Sequence, residues 1–165
     1  MASTARNLFQ NLPPPAECLA LLIGTAELTV FGLGGFANPA QFATGFGIPL
    51  LPASATQKHP GAIESSPEEI RQAKKVEDTQ KALITAIAAR NVQNGLLILT
   101  FGAWYRDRKA LGILTAFGLV TTATDYFVVK SYGVREAASG HLIGVLNCLL
   151  IGSSLLFWGR EDPWW

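Results

Sequence analysis

Charged side chains are scarce in this 165-residue sequence: Asp, Glu, Lys and Arg make up 15% of it, against about 25% in an ordinary soluble domain. With 49% apolar residues in long runs, that scarcity argues for an integral membrane protein. The net charge of +1 does not suggest a nucleic-acid partner, and none is expected. There are two cysteines, Cys18 and Cys148, both inside apolar segments, and no CxxC or Cys/His pairing suggests zinc. They read as reduced packing residues. No nucleophilic serine or cysteine motif, phosphate-cradling loop or metal cluster is present, and no cofactor is expected. The start of the sequence makes a poor basic segment for a signal peptide. Before the first apolar run stand only Arg6 and the triplet Pro13-Pro14-Pro15, and the run is long and interrupted by Glu27, so it reads as a first span.

Four apolar stretches are present. About twenty helical residues, at 1.5 Å each, cross a hydrocarbon core roughly 30 Å thick. Spans are expected at about 16–36, 82–104, 110–129 and 139–158, in one all-α domain over 1–165 that folds as an up-down four-helix transmembrane bundle. The first should end at Gly32, Gly34, Gly35 and Asn38-Pro39. A polar insertion at about 50–79 follows, and its Pro- and Ser-rich part to Ser65 reads as loop. Ser66-Pro67-Glu68-Glu69 is a strong helix start, with Ser as N-cap, Pro at the first position and Glu at the third. No Gly or Pro follows until Gly95, so one helix should run from Pro67 to Trp104, its first part outside the bilayer. Trp104 and Tyr105 suit an interfacial belt. The lysines and arginines divide between the two sides without fixing an orientation. The aromatic stripe Phe117, Phe127 and Phe157 is expected to be packing.

Inside the spans lie Glu27, Arg90 and Asp125. Ionisable groups are costly in hydrocarbon and mark polar sites within a bundle. In an up-down bundle the end of span one, start of span two, end of span three and start of span four share one membrane face. Arg90 is about eight residues, or about 12 Å, from that face. Asp125 is about five residues from it, His141 about two, and Glu27 is near the midplane. Asn91, Gln93 and Asn94 surround the arginine in sequence, and Thr121, Thr122, Thr124 and Tyr126 surround the aspartate. Buried charges need such hydrogen-bonding company. Two readings fit. Arg90, paired with Asp125 or Glu27, could lock the bundle, or the cluster could form a functional pocket. Cohesion alone has another source in Gly140-x-x-x-Gly144.

Several short elements carry a family resemblance: Gly45-Phe46-Gly47-Ile48-Pro49 after span one, Arg90-Asn91 and Gly95 in span two, the basic turn Arg108 to Gly112, Asp125 late in span three, and Gly140-His141 opening span four. In these the chain resembles a family of small four-span membrane proteins of unknown function found in fungi and actinomycetes. Arg90-Asn91 departs from the commoner Arg-Asp pair and removes one carboxylate. Fungal proteins of this kind resemble small membrane-bound hydrolases or cyclases of polyketide or terpenoid pathways. The resemblance implies an endomembrane such as the endoplasmic reticulum, and other pathway enzymes as partners.

Two carboxylates flanking an arginine suit acid–base hydrolysis or ring closure of an epoxide. In that expectation Asp125 is the base, Arg90 orients it and Glu27 is the acid. Tyr126, Asn91 and Asn94 position water or substrate, and His141 is able to replace either acid or base. A lipophilic substrate would arrive from the bilayer. The alternatives are a non-catalytic membrane scaffold and a small proton-linked carrier.

Overall fold

The computed structural model describes residues 14–51 and 66–158. The Pro- and Ser-rich loop and the terminal tails lie outside the described residues. The described chain is all helical. Helix α1 is Pro15–Ala37, α2 is Pro39–Phe46, α3 is Pro67–Trp104, α4 is Arg108–Tyr132 and α5 is Arg135–Phe157. All but α2 are long and apolar enough to cross a membrane. The chain is a multi-pass membrane protein with the expected four spans.

Helix α3 starts where its sequence signal lies. The Ser66 hydroxyl accepts from the Glu69 amide at 3.3 Å, and the Glu69 carboxylate accepts from the Ser66 amide at 2.8 Å. Two orphan amides are thereby satisfied together. The helix then runs unbroken to Trp104, its last turn, Thr100–Trp104, widened to π geometry. Arg106, at φ 53°, takes the chain out of α3, and the Asp107 carboxylate caps the start of α4 through the Ala110 amide at 3.0 Å.

Helix α1 differs from expectation in its interior. The glycines do not stop it. It passes through a π-helical stretch at Glu27–Leu33, returns to α geometry at Gly34 and ends at Asn38. Three of its glycines face α3 instead. A Cβ on Gly95 of α3 would stand 2.5 Å from the Leu28 amide nitrogen and 2.7 Å from the Gly24 carbonyl oxygen. The two backbones touch there, and only glycine permits it.

The helices form two pairs, α1 with α3 and α4 with α5; α3 and α4 share little contact although a short turn joins them. The seam between α4 and α5 includes Gly144, where a Cβ would stand 3.3 Å from the Thr122 side chain, but not Gly140. It runs through Gly112 against Leu155 and Leu156, and through Gly152 against the backbone of Ala116. A Cβ on Gly140 would meet no atom within 4 Å. The pairs join near the start of α1, where Ala20, Ile98, Leu111, Ile151 and Leu155 form a buried cluster. The expectation for the aromatic stripe is corrected: Phe117, Phe127 and Phe157 are 68%, 64% and 84% exposed and face the lipid. In hydrocarbon an outward phenylalanine has no water to avoid, so hydrophobicity no longer separates core from surface.

Candidate functional site: an intramembrane ion pair at a cavity

At the other end of the bundle the helix pairs enclose a cavity of about 520 Å³ with walls from all five helices. Arg90 on α3 and Asp125 on α4 meet across it. Nη2 donates to Oδ2 at 2.8 Å and Nη1 to Oδ1 at 3.2 Å, a bidentate pair. The fork geometry fixes both side chains and is among the stronger charge-assisted arrangements. Nη2 also donates to the Asn91 side-chain oxygen Oδ1 at 3.4 Å, and Asn91 Nδ2 donates to the Phe31 carbonyl at 3.4 Å. Phe31 lies in the π-helical stretch of α1. Asn91, 6% exposed, is thus the buried strut between the ion pair and α1.

Glu27 enters the same cavity from α1, close enough for the charges of Arg90 and Asp125 to act on it. It forms no ion pair with Arg90. Its Oε2 is buried and has no hydrogen-bond partner among the described residues, and the same is true of Arg90 Nε. Asp125 is the carboxylate that closes the pair, and Glu27 remains unclamped.

His141 on α5 lines the cavity and fastens its cover. Its Nε2 lies 2.9 Å from the Phe46 carbonyl oxygen, and the Phe46 ring meets the imidazole edge-on at 4.7 Å between centroids. A carbonyl only accepts, so Nε2 carries the hydrogen and Nδ1 holds the lone pair when the ring is neutral. Phe46 ends α2, the short helix whose Asn38, Gln41, Phe42 and Gly45 also line the cavity. Gly47, at φ 97°, then turns the chain, and its carbonyl accepts the Val134 amide at 2.8 Å. A Cβ on Gly47 would strike Ala137 and Val129. The Gly-Phe-Gly element therefore locks α2 onto the α4–α5 turn and onto α5.

The structure brings Glu27, Arg90, Asn91, Asn94, Asp125 and His141 to one cavity, with Thr121 and Thr122. It does not bring Tyr126 there. The Tyr126 hydroxyl accepts from Lys130 at 3.2 Å and its ring packs on Phe127, both away from the cavity lining. One residue along a helix turns a side chain by about 100°, which separates it from its neighbour Asp125. Gln93 is exposed for the same reason. Cys148, expected to be packing, sits half-buried with its sulfur 3.8 Å from the Thr122 hydroxyl.

A second buried pair was missed. Arg108 Nε lies 2.9 Å from Glu17 Oε1 at the opposite end of the bundle, and Arg108 Nη2 donates to the Ser154 carbonyl at 3.0 Å. The N–H···O approach to Glu17 is too bent to be a hydrogen bond, so this contact is an ion pair alone. Up-down connectivity, which brings Arg90 to Asp125, brings this pair together as well. The start of span one, end of span two, start of span three and end of span four share the other membrane face.

Geometry and topology thus define a four-span membrane protein whose cavity in one half of the bundle is built on an arginine–aspartate fork with an unclamped glutamate beside it. The chain belongs to the family described as a domain of unknown function, DUF4267, which it matches over residues 25–155. That match takes in every cavity residue named above and leaves Glu17 outside. Comparison with curated proteins and with solved structures finds no match.

Proposed function

We propose that this cavity is a catalytic site for acid–base opening of an epoxide in an uncharged, lipophilic small molecule, a step of polyketide or terpenoid secondary metabolism in a fungal endomembrane. The observation that carries the reading is Glu27. A bundle lock uses charges in pairs, and Arg90 with Asp125 is such a pair already. Glu27 adds a carboxyl group to the same cavity, takes no part in the lock and leaves one buried oxygen without a hydrogen bond. A carboxyl group outside the ion pair adds nothing to a lock made of paired charges.

The chemistry follows from the roles the groups can fill. Glu27, in its protonated form, gives its proton to the epoxide oxygen as the carbon–oxygen bond breaks. Water attacks the carbon, and its proton passes to Asp125, which Arg90 holds in orientation. The product is a diol, and a proton returning from Asp125 to Glu27 resets the site. A hydroxyl of the substrate in place of water yields a cyclic ether by the same proton transfers. Such positioned proton transfer contributes about a hundred- to ten-thousandfold to rate. Asn91 and Asn94 offer amides to hold water or substrate, and His141 secures the cover.

The test is expression of the chain in a heterologous host together with the genes that neighbour its own, in heavy-oxygen water, with products compared by mass spectrometry. Hydrolysis predicts a product one water heavier that carries the heavy oxygen. Ring closure predicts an isomer without it. A product set unchanged by the chain contradicts the proposal. A scaffold for other pathway enzymes would raise the yield of existing products without a new one, and a carrier would change only where they accumulate.

A further inference from the structure

Two helical glycines at the cavity have no local reason to be glycine. Gly45, in α2, and Gly140, in α5, both have ordinary negative φ. Among the described residues a Cβ on either would meet no atom within 4 Å, whereas Gly24, Gly32, Gly95, Gly112 and Gly152 all sit against a neighbour. Glycine inside a helix is about 1 kcal/mol less favourable than alanine, and here neither conformation nor packing offsets that. Both glycines line the cavity and both are exposed, at its outer edge. Each is followed by the residue that joins the two helices, for Phe46 and His141 are in contact. In each dipeptide the second residue closes α2 against α5 and the first leaves a gap. The rim contributed by α1 is apolar: Val30 and Phe31 line the cavity and are 62% and 46% exposed to the surroundings, which at this depth are lipid.

We propose that Gly45 and Gly140 form the mouth of the cavity, that uncharged lipophilic ligands pass through it, and that the missing side chains set the width of ligand admitted. This rests on the catalytic reading for its ligand class but not for its geometry.

The experiment places a reporter cysteine at Thr121, on the cavity wall, in the full chain with Cys18 and Cys148 replaced by alanine. Labelling is followed with two thiosulfonates, uncharged benzyl and charged trimethylammonium-ethyl, in lipid vesicles. The benzyl reagent should react, and Gly45→Leu or Gly140→Leu should slow it roughly tenfold, because a cysteine reacts only as fast as it can be reached. Ser139→Leu, one residue away and outside the cavity lining, should leave the rate unchanged. Gly45→Ala and Gly140→Ala should keep or raise the thermal midpoint, which separates narrowing from misfolding. An unreactive reporter, leucine variants that label at the parent rate, or equal slowing by Ser139→Leu overturns the mouth. Faster reaction with the charged reagent overturns the ligand class. Labelling needs no turnover, so an open mouth in a chain that forms no new product would sink the catalytic reading and leave this inference standing.

Discussion

The two ends of this bundle each hold a buried arginine–carboxylate pair, and the pairs serve their surroundings differently. At one end Glu17 is 1% exposed and Arg108 16%, next to a buried cluster of aliphatic side chains. At the other, Asp125 is 13% exposed and Arg90 32%, at the wall of a cavity that also contains a second carboxylate. The closed pair contributes no residue to that cavity and, among the described residues, shares its ion pair with no third group. The open pair lines the cavity together with Glu27. Burial of a charge does not by itself separate a lock from a site. Unfilled volume and a group left out of the pairing do.

The comparison predicts unequal costs. Arg108→Ala strands a fully buried carboxylate, so it should destabilise the protein by about 3–5 kcal/mol, the range for breaking a buried pair. Arg90→Ala leaves Asp125 facing a cavity that water can enter and should cost clearly less, while abolishing activity. Thermal or denaturant unfolding of the purified chain measures both, and equal losses would erase the distinction. Gly95→Ala, which forces a methyl against the backbone of α1, should cost about 1–3 kcal/mol by overpacking. Because it acts at the contact of α1 with α3, it should also shift Glu27 and lower turnover. His141→Ala removes the bond to the Phe46 carbonyl. It should cost about 1 kcal/mol and raise amide exchange in α2 ahead of the other helices, seen by hydrogen-exchange mass spectrometry. Tyr126→Phe should change turnover least, since that hydroxyl meets Lys130 outside the cavity.

Much of this was legible in the sequence because membrane topology is a strong constraint. Long apolar runs define the spans, Ser66 with Glu69 defines the start of α3, and an up-down order brings Arg90 and Asp125 to one face. Connectivity fixes depth alone. It does not say which way a side chain points around a helix, and Tyr126 shows the consequence, one residue from Asp125 and outside the cavity. The π-helical turns in α1 and α3 were not legible either, since they depend on how each helix meets its neighbours. Glu17 and Arg108 escaped for a different reason. Both stand within three residues of a helix start, where charge looks interfacial, until the fold closes over them.

The most direct test of the account is turnover by Glu27→Gln. Asp125→Asn also removes half of the Arg90 fork, so its loss would mix chemistry with structure. Among the described residues Glu27 belongs to no ion pair, and glutamine keeps its shape. At equal amounts of folded, membrane-inserted protein, the account predicts that this variant loses about a hundredfold or more in product formation while its unfolding midpoint is unchanged or higher. Product formation at the unsubstituted rate would show that the open end of the bundle is a lock as well.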